Sequence, residues 1–289
     1  MSAVDSETAA ETTGAVERHT ITTSDGVRLS YTDEGAGRPV VMIHGWTFSG
    51  RFFDGVASEL ARGHRVIRLD LRGHGRSESP DHGYRMSRLS ADLHELLETL
   101  DLRETTLIGW SLGCPIIWGL LESFGSARVA QAVYIDQTPA QYRTADWPWA
   151  HAQCWDDAAL AGLQAAIAAD PAGQDREQVP TILQREPTER ERELFLAEMG
   201  RCRREVRNAV MQNHTRLDWR DVIPHLSVPA LVCVARRNVV FDWRGPHWVA
   251  EHLPDARERI FEDSRHALFL DEPQAFVETV REFLAEADR

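Results

Sequence analysis

The chain has 289 residues, of which 43% are hydrophobic and 27% charged, a composition typical of one globular domain with a buried core. Its formal net charge of −13 argues against nucleic acid or an anionic membrane surface as a partner. The four cysteines are widely spaced and form no CxxC pair, so the sequence indicates neither a disulfide framework nor a zinc site. This cysteine content favours a cytoplasmic location, and no stretch approaches the ~20 apolar residues of a membrane span.

Residues 1–15 are rich in Ser, Thr, Glu and Ala, which predicts a flexible tail without the features of a signal peptide. Residues 18–33 then alternate between apolar and polar, which predicts two strands joined by a turn at 24–26. Later in the chain, short apolar runs predict further strands, and apolar residues at helical spacing predict helices. The strands are expected at 39–45, 64–70, 105–109, 129–136, 229–235 and 257–261, and the helices at 86–100, 111–124 and 273–287.

Alternation of short strands and amphipathic helices predicts an α/β fold with a mostly parallel, eight-stranded sheet and helices on both faces. Between residues 137 and 228 the alternation stops, and the sequence becomes charged and helical in character. We interpret 137–228 as a helical lid inserted after the sixth strand. The core is then formed by residues 16–136 and 229–289. Such sheets carry their chemistry in the loops beyond the carboxyl ends of the strands.

The segment TTLIGWSLGCPII (105–117) joins an apolar strand to a helix through a turn with two glycines. A turn this tight imposes a strained backbone on its central residue, and small neighbours at Gly109 and Gly113 avoid clashes with it. The turn would expose the Ser111 hydroxyl at a helix N-terminus, where peptide dipoles and free N–H groups favour negative charge. We therefore predict that Ser111 is a nucleophile; a chance occurrence of the pattern is the alternative.

Four motifs resemble those of the α/β-hydrolase superfamily, and they occur in the same order. They are HGW at 44–46, DLRGHGRS at 70–77, GWSLG at 109–113 and DSRHALFLDEP at 263–273. The resemblance extends over about residues 20–287. It implies an oxyanion loop at the first motif, the nucleophile elbow at the third and the catalytic histidine at the fourth.

A serine hydroxyl is a poor nucleophile until a base takes its proton. Among the twelve histidines, His266 follows the last strand and precedes the closing helix, and the resemblance gives it the role of base. The backbone N–H groups of Trp46 and Leu112 are the predicted donors to the oxyanion. Three other histidines are expected in the insertion, preferentially at its surface: His151, His214 and His225.

The third member of the triad is displaced from its usual position. Most of the superfamily carries an aspartate after the seventh strand, where this chain has Asn238 in ARRN (235–238). An amide has no charge with which to stabilise an imidazolium. Asp136, which ends the sixth strand, is the preferred acid, and Asp242 is the alternative. Haloalkane dehalogenases, zearalenone-type lactonases and cofactor-free quinolone dioxygenases resemble the first arrangement.

These residues predict a serine hydrolase that cleaves an ester or lactone of a medium-sized small molecule, with no metal and no cofactor. One alternative is a cofactor-free dioxygenase, in which His266 and Asp136 deprotonate an aromatic hydroxyl and Ser111 only positions the substrate. Another is a binding protein with a decayed triad. The tryptophans predict an apolar or aromatic pocket, with packing of the lid as the alternative. The candidate pocket residues are Trp110, Trp147, Trp149 and Trp155.

Overall fold

The computed structural model describes residues 16–286, so the predicted tail at 1–15 lies outside the described residues. Within them, eight strands form a single sheet. The strands are β1 (Arg18–Thr22), β2 (Arg28–Glu34), β3 (Pro39–Ile43), β4 (Arg65–Leu69), β5 (Thr105–Trp110), β6 (Val129–Ile135), β7 (Ala230–Ala235) and β8 (Ala256–Phe261). Each predicted strand is present, with ends that differ by a few residues at most.

The order of strands in the sheet is β1-β2-β4-β3-β5-β6-β7-β8. β2 pairs antiparallel with both β1 and β4, and all other neighbouring strands are parallel. Because parallel strands point the same way, the loops that follow β3, β5, β6, β7 and β8 meet at one edge of the sheet. The predicted mostly parallel sheet is confirmed.

Helices connect and cover the strands. In the described residues they are α1 (Asp54–Leu60), α2 (Met86–Thr99), α3 (Gly113–Phe124), α4 (Asp157–Ala169), α5 (Pro171–Ile182), α6 (Glu189–Met199), α7 (Arg204–His214), α8 (Arg244–His252), α9 (Leu268–Asp271) and α10 (Pro273–Leu284). The three helices predicted from apolar spacing correspond to α2, α3 and α10. In α2, for example, Leu89, Leu93 and Leu96 are fully buried, as expected for one face of a helix against the sheet.

The core is divided by the sheet into two layers. One contains apolar side chains of α2, α3 and α8, and the other contains those of α1 and α10. The central strand β5 is buried along its whole length, which is the burial expected for a parallel strand covered on both faces.

Four helices, α4 to α7, lie between β6 and β7, in the segment 137–228 that we call the insertion. Capping side chains account for several of their boundaries: Asp156 caps α4, and Thr188 and Glu191 form a capping box at the start of α6. Among the helices of residues 16–286, none has the length and apolar character needed to cross a bilayer.

Candidate active site

Ser111 lies in the turn between β5 and α3 with a φ of +52°, in the left-handed region that is unusual for a residue other than glycine. A Cβ on Gly109 would lie 2.6 Å from the carbonyl carbon of Gly113, and one on Gly113 would lie 2.3 Å from the Ile43 oxygen. Because these distances are far inside van der Waals contact, both positions require glycine. The protein therefore has the strand–turn–helix geometry on which the predicted role of Ser111 depends.

His266 and Asp136 meet at the carboxyl edge of the sheet, in the loops after β8 and β6. His266 Nδ1 lies 2.8 Å from Asp136 Oδ2, and both side chains are buried. Asp136 has a φ of +52°, which ends the strand abruptly. Since a carboxylate can only accept, the neutral imidazole carries its proton on Nδ1 and leaves Nε2 as the acceptor.

Two further donors hold the carboxylate of Asp136. The Ala235 N–H donates to Oδ1 at 3.1 Å, and Asn238 Nδ2 donates to Oδ2 at 2.6 Å. Burial raises the pKa of Asp136 above its ordinary value, while the hydrogen bonds from His266 and Ala235 oppose that rise. Asn238 stands where the family resemblance places a carboxylate, and it donates a hydrogen bond to Asp136, the predicted acid.

Asp242, the alternative acid, has a different partner. Its carboxylate accepts hydrogen bonds from the backbone N–H of Arg244 at 3.0 Å and from Arg244 Nε at 2.8 Å. This guanidinium lowers the pKa of Asp242. In the described part of the chain the carboxylate bonded to His266 is that of Asp136. The geometry favours Asp136, whose role as the triad acid stays a prediction.

Ser111, His266, Trp46 and Leu112 line one cavity. Neither the Trp46 nor the Leu112 N–H donates a hydrogen bond within residues 16–286, so both are free to bind a substrate oxygen. In the same residues no hydrogen bond joins Ser111 Oγ to His266; contacts of this kind often form only when substrate binds. The cavity therefore brings together the predicted nucleophile, base and oxyanion donors.

The cavity has a volume of about 250 Å³ and lies between the carboxyl edge of the sheet and the insertion. His151 and His214, expected at the surface of the insertion, line it instead. The connection after β6 folds back onto the sheet edge, where the His151 ring packs against Phe241. The other lining residues that sequence analysis missed are Phe48, Gln141, Ala152, Gln153, Gln178, Thr181, Ile182, Met211, Val239 and Val240. No local sequence pattern identifies them, since tertiary packing brings them together.

The four candidate pocket tryptophans do not line this cavity, so that prediction is wrong. Trp110 is fully buried, stacks on Phe48 at 4.5 Å and donates from Nε1 to the carbonyl oxygen of His266 at 2.9 Å. Alternation along β5 directs it into the core layer shared with α1 and α10. Trp147 and Trp149 border a separate open cleft, and Trp155 is 38% exposed. Trp110 therefore supports the loop that carries His266, the predicted base.

Residues 16–286 contain no group of three or more His, Cys, Asp or Glu side chains placed to hold a metal ion. The four cysteines are buried and unpaired, and burial raises the pKa of each thiol. A thiol becomes a strong metal ligand only as the thiolate, so these side chains are poor ligands at neutral pH.

A comparison with protein families assigns this fold to a known class. The family model described as alpha/beta hydrolase fold matches residues 38–273, and the chain belongs to that family. The predicted family is therefore confirmed.

The relatives include a chloroperoxidase and esterases. The chain is 40% identical over 114 residues to a putative non-heme chloroperoxidase of Synechocystis sp., a match that spans only 41% of that relative. It is 29% identical over 248 residues to a pimeloyl-[acyl-carrier protein] methyl ester esterase of Nitrosomonas europaea, covering 84% of this chain and 94% of the relative. Among solved structures, an esterase from Exiguobacterium antarcticum superposes with a TM-score of 0.88 at 25% identity, covering 92% of this chain and 98% of the other.

Proposed function

We propose that the protein is a serine hydrolase that cleaves a carboxylic ester or lactone through an acyl-enzyme. One observation carries the proposal: a buried imidazole, bonded through Nδ1 to Asp136, lines the same cavity as Ser111 and two unpaired backbone amides. These are the parts that acyl transfer needs, namely a nucleophile, a base, an orienting acid and oxyanion donors.

In the proposed reaction, Ser111 Oγ attacks the carbonyl carbon and its proton passes to His266 Nε2. Asp136 stabilises the imidazolium that forms, and the N–H groups of Trp46 and Leu112 bind the tetrahedral oxyanion. Collapse of this intermediate breaks the ester C–O bond, and the leaving alkoxide takes the proton from the imidazolium. Water then attacks the acyl-enzyme by the same route, releasing the carboxylic acid and restoring Ser111.

The relatives support ester hydrolysis over the alternatives. The methyl ester esterase of N. europaea matches most of this chain, and the E. antarcticum structure is also an esterase. The dioxygenase alternative receives no support from these relatives. An intact relay of Asp136 and His266 argues against a decayed triad. The chloroperoxidase relatives match a shorter part of the chain, and a halogenation assay with peroxide and bromide tests that activity directly.

We further propose that the insertion acts as a lid. Residues from its first loop, from α5 and from α7 complete the cavity wall, so α4 to α7 would control access to Ser111. A small molecule is the expected partner, because a cavity of about 250 Å³ has room for little more. The cytoplasmic location stays a prediction.

A fluorophosphonate probe tests the acyl-enzyme. It should label the wild-type protein once, at Ser111, with loss of p-nitrophenyl acetate hydrolysis in proportion to labelling. Ser111→Ala should be neither labelled nor active. An unlabelled Ser111 in a protein that hydrolyses the ester would contradict the proposed nucleophile.

A further inference from the structure

The cavity beside Ser111 contains no formally charged side chain. None of its lining residues within the described chain is Asp, Glu, Lys or Arg, and its polar groups are amides, hydroxyls and histidines. A carboxylate brought into such a site loses its hydration and gains no counter-charge. The site is therefore built to bind neutral groups.

The two histidines of the insertion that line this cavity, His151 and His214, are neutral. Burial lowers the pKa of His151 to about 3, with a further contribution from the nearby His266 and His214 rings, and burial alone lowers the pKa of His214 to about 3. At neutral pH both rings are uncharged. They can donate a hydrogen bond, but they cannot attract an anion.

A hydrogen bond shows which nitrogen of the His151 ring carries the proton. His151 Nδ1 accepts from the Gln153 N–H at 2.9 Å, so the neutral ring has its proton on Nε2. Within residues 16–286 this Nδ1 contact is the hydrogen bond that the ring forms, and none involves Nε2. His214 differs, because Nε2 contacts the Gln141 amide and the buried Nδ1 has no partner. The His151 Nε2–H is thus a free, uncharged donor in a residue that lines the cavity.

The Phe241 ring lies between His151 and His266, the proposed base. Its ring centroid lies 5.2 Å from that of Phe241, whose centroid lies 5.4 Å from that of His266, and both contacts are edge-to-face. Ser111, Phe241 and His151 line the same cavity, so a substrate whose carbonyl meets Ser111 has its remaining atoms in a space that His151 also borders.

We propose that the cavity selects an uncharged ester or lactone that carries a second hydrogen-bond acceptor, such as a ketone or ether oxygen, and that His151 Nε2 donates to that oxygen. This inference rests on the proposed hydrolase function and specifies its substrate class. A site that offers a donor to a substrate oxygen discriminates against an analogue without that oxygen.

A first experiment compares dimethyl succinate with monomethyl succinate, which are alike in size but differ by one negative charge. The wild-type kcat/KM should be at least about 100-fold higher for the diester, since the anion has no counter-charge in the cavity. Equal rates would overturn charge exclusion.

A second experiment tests the donor with methyl levulinate, which has a ketone, and methyl pentanoate, which lacks it. His151→Phe should lower kcat/KM for methyl levulinate about ten-fold more than for methyl pentanoate. His225→Phe is the matched control, because His225 is exposed and outside the cavity. Equal losses for the two esters would overturn the role of His151. Wild-type protein that hydrolyses neither ester and resists the fluorophosphonate would instead refute the hydrolase function.

Discussion

Asp136 accepts three hydrogen bonds, from His266, Ala235 and Asn238, although its side chain is fully buried. Asp136→Asn would keep the size of the side chain but would remove the charge that stabilises an imidazolium. It would also favour the wrong imidazole tautomer, so we expect kcat to fall by about 10³–10⁴-fold.

Asp242→Asn is the matched control, because Asp242 binds Arg244 on a partly exposed surface. Its kcat should stay within a factor of about two of the wild-type value. Steady-state kinetics with p-nitrophenyl acetate measure both variants. If Asp242→Asn is the inactive one, the acid is misassigned.

Asn238 has a role that its position in the sequence does not reveal. Its amide donates to Asp136 Oδ2, the oxygen that also binds His266, and its own oxygen accepts the Val240 N–H at 2.8 Å. A donor to a carboxylate favours the ionised form. Asn238 therefore helps to keep the buried Asp136 charged.

Replacing Asn238 with Asp should place a second carboxylate against the first. Like charges at this distance cannot both ionise, so the pair should hold one proton to a higher pH. We expect kcat at pH 7 to fall by about ten-fold or more and the acid limb of the pH–rate profile to move upward. Asn238→Ala, which removes the donor without adding charge, should produce a smaller upward shift. Unchanged profiles in both variants would show that Asn238 does not act on the acid.

At the level of elements, the loop after β3 is held by the insertion. Trp46 Nε1 donates to the Arg207 carbonyl of α7 at 3.2 Å, and Ser49 Oγ donates to Glu198 of α6 at 2.8 Å. Between these contacts, Thr47 has a strained φ of +67°. The insertion therefore helps to fix the loop that carries Trp46, whose backbone amide is a proposed oxyanion donor.

Arg207 in turn connects three parts of the insertion. Its guanidinium forms a buried, two-pronged ion pair with Asp175 of α5 and donates to the carbonyls of Cys202 and Met199 at 2.7 Å. Its own carbonyl accepts from Trp46, so Arg207 links these helices directly to the loop after β3.

Ser49→Ala tests this coupling. Loss of its hydrogen bond to Glu198 should loosen the loop and lower kcat about three- to ten-fold. KM should change little, because the proposed role of the Trp46 amide is to bind the oxyanion of the transition state. Asp157→Asn, in an exposed ion pair within the insertion, is the control and should leave kcat unchanged. A Ser49→Ala effect confined to thermal stability would show that the contact is only structural.

The elements that could be predicted are those with a local sequence pattern. The strands and the helices α2, α3 and α10 follow from apolar spacing, and the glycines at 109 and 113 indicate the tight turn at Ser111. The cavity wall could not be predicted, because His151 and Phe241 are 90 residues apart and meet only in the folded chain. The pocket prediction fails at Trp110 for a different reason: this last residue of β5 packs into the core layer shared with α1 and α10, and closeness to Ser111 in sequence does not reveal that direction.

At the scale of the whole molecule, folding hinders the protonation of four histidines that would ordinarily be protonated in mild acid. Burial lowers the pKa of His44 to about 4 and that of His74, His151 and His214 to about 3. Below pH 6.5, the ordinary value, the unfolded chain binds protons that the folded chain excludes. Each histidine therefore contributes full stability above pH 6.5 and loses it as the pH falls toward its folded value.

Three buried carboxylates change the free energy of unfolding with pH in the opposite direction to the histidines. Burial raises the pKa of Asp70, Asp92 and Asp136, so the folded state binds their protons at a higher pH than the unfolded chain does. Their contribution to stability is therefore lost as the pH rises. The pH dependence of the wild-type free energy of unfolding is the sum of the histidine and carboxylate effects. A comparison between variants isolates one histidine, because the carboxylates are common to both proteins.

His74→Gln is suited to this comparison because the His74 ring is fully buried and its Nε2 has no partner within the described residues. Glutamine does not titrate, so the unfolded variant takes up one proton fewer in acid than the unfolded wild-type chain does. Between pH 6.5 and about 3, its free energy of unfolding should therefore depend on pH less steeply, by up to about 1.4 kcal/mol per pH unit. Urea titrations from pH 7 to the lowest pH at which both proteins fold measure the slopes. His82→Gln, which replaces an exposed histidine, is the control. Parallel slopes for His74→Gln and wild type would mean that His74 is protonated equally in the folded and unfolded states.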